Sequence, residues 1–193
     1  MDEEMEKMSE YVRTFFQDSG SHGFDHTARV TRLSEMMGNN EGADMKILIP
    51  AALFHDIARS LELETGLPHE EQGAEMAEVY LRSIGYPGDR INSITHAIRA
   101  HRYSSGIAPE TLEAEILSDA DKLDAMGAVG IARTFMQAGE DGTGIVGAVA
   151  HFHKKLLKLK DRMYTETATE MAEERHVFLV DFLDELEREE CRD

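Results

Sequence analysis

ILIPAALFHDIAR, residues 47–59, runs apolar from Ile47 to Phe54 and then sets His55 beside Asp56. A histidine and a carboxylate at the deep end of a buried segment are costly unless something pairs with them. Two resolutions are open. The two side chains simply orient one another, or a metal ion takes both as ligands. The apolar run is far too short to cross a membrane, and Pro50 within it either kinks or starts the helix that ends at Asp56.

Outward from this stretch the spacing is helical, and no alternating run marks a strand. Val30, Leu33 and Met37 fall at i, i+3 and i+7 within 26–37, and Ile91, Ile94 and Ile98 form a like stripe within 89–101. TATE, at 167–170, has the form of a capping box that opens a helix with Met171, Phe178, Phe182 and Leu186 turned inward. Gly, Pro and Asn punctuate the chain at GNNEG (38–42), TGLP (65–68), GYPGD (85–89) and AGEDGTG (138–144). The pattern predicts an all-α fold, a single domain over 1–193, with about seven to nine helices.

Composition limits the function. With 41% hydrophobic and 30% charged residues the chain reads as a soluble globular protein. The formal net charge of −18 repels nucleic-acid backbones and anionic membranes, so neither a nucleic-acid polymer nor a membrane is an expected partner. MDEEMEKMSE is acidic where a signal peptide would be basic, and the lone Cys191 has no internal disulfide partner. A cytoplasmic location is expected. Homo-oligomerisation is left open.

Helix phase sorts the polar residues, since each step along a helix turns about 100°. His101 lies at the edge of the Ile91–Ile94–Ile98 stripe, whereas His96 turns toward solvent as a surface histidine. In EAEILSDADKLDAMG (113–127), with Ala114 and Leu117 inward, Asp121 and Asp124 fall on the apolar face and Asp119 points away. His26 opens the helix 26–37, with Asp25 able to cap it, and His22 precedes it in a loop. His69 starts HEEQGAEMAEVYL. Taken singly, each histidine reads as a capping or core-edge residue. Together the imidazoles and carboxylates suit a divalent ion such as Mn²⁺, Fe²⁺, Zn²⁺, Co²⁺ or Ni²⁺.

HTARV with His26, the His55–Asp56 pair, and DADKLDAMGAVGIARTF with Asp121 follow the order H…HD…D, with HEEQGAEMA between and HFHKKLLKL after. In this the chain resembles a compact, single-domain branch of the HD-domain superfamily of metal-dependent phosphohydrolases, over most of its length. The resemblance implies an all-α HD-type bundle in which His26, His55, Asp56 and Asp121 ligate one divalent ion, Mg²⁺ being added to the candidates above. It implies that water activated there attacks phosphorus, which makes Asp56 and Asp121 catalytic. A second metal is left open: His69 and His101 stand in comparable places and could equally touch substrate phosphate.

Several members of the superfamily carry an acidic residue three or four positions after the HD aspartate. Arg59 and Ser60 stand there instead, so a general base is not carried over, and Glu62, Glu70 or Asp124 are the nearby carboxylates. Arg59 suits a substrate phosphate, since a guanidinium grips two oxygens, though an exposed helix-end arginine fits it almost as well. Lys155 and His22 complete the substrate-binding candidates. GTGIVG, at 142–147, lacks the preceding strand of a dinucleotide site. The expected activity is hydrolysis of a small phosphorylated metabolite, most simply a nucleotide. Nucleoside triphosphate pyrophosphohydrolase is the first choice and nucleoside monophosphate phosphatase the second. The alternative is a nucleotide-sensing or scaffold protein that binds metal and nucleotide without turnover.

Overall fold

The computed structural model describes residues 3–16, 23–102 and 105–190. Among these are ten α-helices and no strand: α1 (Glu3–Arg13), α2 (Phe24–Glu41), α3 (Met45–Phe54), α4 (Arg59–Thr65), α5 (His69–Ser83), α6 (Gly88–Ala100), α7 (Leu112–Asp124), α8 (Gly127–Glu140), α9 (Gly144–Lys154) and α10 (Glu166–Glu190). The all-α expectation is met, with one helix more than its upper bound. The seven-residue α4 is too short to show a periodic stripe in sequence. Among the described residues no helix is long and apolar enough to cross a membrane. The chain divides into two compact units, Met1–Asp121 and Lys122–Asp193.

In the first unit α3 packs against α2 and α6, α1 lies on α3, and α5 pairs with α6. Every α3 residue from Leu48 to Phe54 is buried, as expected of a helix that is apolar on all sides. Val30 and Met37 of α2, Leu81 of α5, and Ile91, Ile94 and Ile98 of α6 complete this core. Gly38 lets α2 approach α3, because a Cβ there would meet Leu48 Cδ2 at 2.5 Å. Pro50 lies inside α3 and does not start it. Its missing N–H would leave the Lys46 carbonyl without its helical donor, and the Tyr86 hydroxyl donates to that oxygen at 2.6 Å.

The second unit centres on the rings of Phe135, Phe152 and Phe182, with centroids 5.8–6.3 Å apart. Phe152, Leu156 and Leu159 are buried together. The capping box is displaced. α10 starts at Glu166, and the Thr165 hydroxyl accepts the Ala168 N–H at 3.3 Å, so the cap lies two residues before TATE. The buried stripe of α10 is accordingly Ala168, Ala172, Leu179 and Leu183, while the expected inward Phe178 is 50% exposed. GTGIVG supplies the last two residues of the turn after α8 and the first four residues of α9.

Candidate metal centre

His55 and His101 reach the site by the same local device. Each is the first residue beyond a helix, α3 and α6 respectively, with helical backbone angles. Each ring turns its Nδ1 back to the carbonyl three residues earlier, His55 to Ala52 at 2.7 Å and His101 to Ile98 at 2.6 Å. A carbonyl only accepts, so Nδ1 carries the proton and a neutral ring leaves its Nε2 lone pair free to point into the cluster. Burial keeps both rings neutral. It pulls the His55 pKa down to about 4 against the opposing charge of Asp56, and lowers that of His101 as well.

His26 stands in the first turn of α2, where its N–H donates to the Gly23 carbonyl at 2.9 Å. The helix therefore begins two residues before His26, with Gly23 as its cap, and Asp25 is exposed in the first turn without capping it. His26 Nε2 lies 3.3 Å from His55 Nε2, 3.5 Å from Asp56 Oδ2 and 3.3 Å from Asp121 Oδ1. His55 Nε2 lies 3.9 Å from the same Asp56 oxygen. Asp56 turns its other oxygen to His69 Nε2 at 3.0 Å and His101 Nε2 at 3.8 Å. Burial would raise the Asp56 carboxyl, but the electrostatic pull of the imidazoles of His55, His26 and His101 around it, with the hydrogen bond from His69, holds it well below the usual carboxylate range. Asp121 is lowered likewise against its own desolvation, chiefly by His26, although a third of its side chain is exposed.

His26 Nε2 thus faces His55 Nε2, one Asp56 oxygen and one Asp121 oxygen, and His55 Nε2 faces that same Asp56 oxygen. Ligands about 2.1 Å from one ion lie roughly 3–4 Å from each other, which is the spacing seen here. Neutral nitrogen with anionic oxygen is a donor set for a borderline or hard divalent ion. The geometry fits the group. His26, His55 and Asp56 form one set of mutually close donors, and Asp56, His69 and His101 form a second.

His69, at the start of α5, is held from both sides. Nδ1 donates to Glu62 Oε2 at 2.8 Å, and Nε2 faces Asp56. Burial opposes its charge, but these two carboxylates raise its pKa despite the Arg59 guanidinium 3.0 Å from Nδ1. Glu62 also accepts from Arg59 Nη1 at 3.3 Å and from Arg102 Nη1 at 3.0 Å. Arg102 was not foreseen, although its place directly after the inward His101 was the available signal. Glu62 was among the nearby carboxylates, but nothing in its spacing foretold the three side chains gathered on it.

Two solvent-facing assignments are overturned. Asp119 is fully buried, because α7 is enclosed on nearly every side from Ile116 to Asp124 and has no outer face there. His96 is half-buried and accepts the Glu110 N–H at 3.0 Å, which ties down the segment before α7. Asp124 is buried and accepts from Arg133 Nη1 at 2.7 Å within the second unit. Lys155 is an exposed residue closing α9, also in that unit. His22 lies outside the described residues, as does Cys191.

The HD domain family profile matches residues 23–126, a span that includes every donor of both sets. YpgQ of Bacillus subtilis is 40% identical over 198 residues, covering 95% of this chain and 94% of that protein. Its crystal structure in complex with ADP superposes with a TM-score of 0.78 at 34% identity, over 96% of this chain and 97% of that one. An HD-superfamily hydrolase from Bacillus thuringiensis superposes with a TM-score of 0.79 at 28% identity, over 99% and 98%. Ribonuclease Y of Thermoanaerobacter pseudethanolicus is 32% identical over 106 residues, but these are only 19% of that enzyme. The profile, the relatives and the clustered histidines and aspartates agree: this chain belongs to the HD-domain family, as a divalent-metal-dependent phosphohydrolase.

Proposed function

We propose that the protein is a nucleoside triphosphate pyrophosphohydrolase whose single divalent ion is held by His26, His55, Asp56 and Asp121. The nucleotide rests on one observation, the ADP complex of YpgQ, a protein similar to this one from end to end. A divalent ion in such a site lowers the pKa of water and neutralises charge developing on phosphate. The remaining work falls to the side chains. The Nδ1 bonds to Ala52 and Ile98 aim the His55 and His101 rings inward. Glu62 and Asp56 hold the proton-bearing His69 at a fixed place. Arg59, a third exposed, offers its guanidinium to a substrate phosphate.

The test is a panel of nucleoside mono-, di- and triphosphates with added Mn²⁺, Co²⁺, Ni²⁺ or Mg²⁺. Orthophosphate and pyrophosphate are measured separately, in ¹⁸O-labelled water. Metal-dependent pyrophosphate release, with one ¹⁸O in either the pyrophosphate or the monophosphate, is expected. The labelled product identifies the phosphorus attacked. Orthophosphate alone, from monophosphates, would replace this reading with the phosphatase. Tight nucleotide binding without turnover would replace it with the sensor. An RNA oligomer belongs in the panel because of the partial match to Ribonuclease Y; the net charge of −18 predicts that it stays intact.

A further inference from the structure

Glu62 lies six residues past Asp56 and is not one of the four proposed ligands, yet three cationic or proton-donating groups meet on its carboxylate. His69 Nδ1 and Arg59 Nη1 reach Oε2 at 2.8 and 3.3 Å, and Arg102 Nη1 reaches Oε1 at 3.0 Å. Each of the three is anchored beside the cluster. Arg59 opens α4 three residues after Asp56, Arg102 directly follows His101, and His69 touches Asp56 at 3.0 Å.

The arginines are not sealed in. Their side chains are 30% and 37% exposed, and among the described residues their hydrogen bonds to protein run through Nη1 alone. Toward the described residues each guanidinium therefore leaves its Nη2 and Nε donors for an incoming anion, in the planar fork that matches phosphate oxygens. Glu70, 3.5 Å from Arg102 Nη1, adds a weaker tether on the same side. Both oxygens of Glu62 are already engaged by strong donors, which makes it a poor proton acceptor and a good anchor.

Building on the nucleotide reading above, we infer that Glu62 is a positioning residue that holds Arg59 and Arg102 as a paired guanidinium receptor for a condensed phosphate chain. A substrate with one phosphorus at the metal has no second phosphate for the second arginine. A di- or triphosphate chain does. The receptor thus selects polyphosphorylated substrates over monoesters, and it provides local positive charge within a chain whose net charge is −18.

Inorganic tripolyphosphate separates this inference from the choice of nucleotide. Calorimetric titration with Mn²⁺ at saturation should show that Arg59→Ala and Arg102→Ala each weaken tripolyphosphate binding about tenfold or more, with orthophosphate binding much less affected. Mn²⁺ affinity itself should be unchanged, and Arg59→Lys and Arg102→Lys serve where an alanine variant melts early. In turnover assays Glu62→Ala should raise the triphosphate KM more than it lowers kcat, with partial rescue by Glu62→Gln. Unchanged tripolyphosphate affinity in both folded arginine variants overturns the inference. So does a Glu62→Gln protein that binds tripolyphosphate normally but loses kcat together with the acid limb of its pH profile, since that marks a general base. If the wild type binds tripolyphosphate through both arginines yet hydrolyses no nucleotide, the receptor stands and the proposed activity falls.

Discussion

Burial makes His55 a neutral donor, and that neutrality has a pH signature. Its folded pKa of about 4 lies below the unfolded value of 6.5, so between these pH values the unfolded chain binds the extra proton. Stability from this group is full above pH 6.5 and is lost as the pH falls toward 4, by about 3 kcal/mol at most on the linkage conversion. His101 acts with the same sign. His69 has the opposite sign, since its raised pKa gives stability below 6.5 that is lost as the pH rises through the folded value. Asp56 and Asp121 lose theirs only below the ordinary carboxylate value of 3.8. Chemical denaturation of chelated protein should therefore show stability falling between pH 6.5 and pH 4, before the carboxylates titrate. A flat profile across that window would mean that His55 is not buried as a neutral ring. At this scale the order H…HD…D was legible from the sequence, and the structure gathers His26, His55 and Asp56 with Asp121 beside His26. The engagement of Glu62 was not, since it depends on α4, α5 and the end of α6 meeting in space.

Helices were legible where one face stayed wet. The α6 stripe of Ile91, Ile94 and Ile98 is buried as its spacing predicts, and His101 follows it inward. In α7 the same argument fails for Asp119, because a helix buried nearly all round has no phase that reports exposure. Pro50 shows a different limit. Sequence marks it as a break, but α3 continues through it because Tyr86, from the turn before α6, supplies the donor that proline lacks. That compensation can be measured. Tyr86→Phe should cost about 1 kcal/mol, and up to about 3 if the Lys46 carbonyl is left dry, in urea unfolding at constant m-value. Metal affinity should not change, since Lys46 lies more than two helical turns before His55. A Tyr86→Phe protein as stable as wild type would mean that water satisfies the carbonyl and the tyrosine contributes only its ring.

The four proposed ligands span residues 26 to 121, so one ion would tie together α2, the turn after α3, and α7. Such long closures carry a thermodynamic consequence: an ion that binds the folded chain and not the unfolded one stabilises it by mass action, about 2.7 kcal/mol at a hundredfold excess over Kd. All four lie in Met1–Asp121, and the gain should appear there. Hydrogen exchange of chelated protein, with and without saturating Mn²⁺, should show new protection in α2, at residues 54–58 and in α7. Asp121→Asn preserves side-chain size but removes an anionic donor, and should abolish most of this protection and the accompanying rise in Tm. Asp25→Asn is the matched control: an exposed carboxylate beside His26 that should leave both intact. Asp119→Asn cannot serve that purpose, because a fully buried aspartate affects folding whatever it does for metal. Equal protection in wild type and Asp121→Asn would remove Asp121 from the ligand set. The remaining donors would then be the mutually close His26, His55 and Asp56.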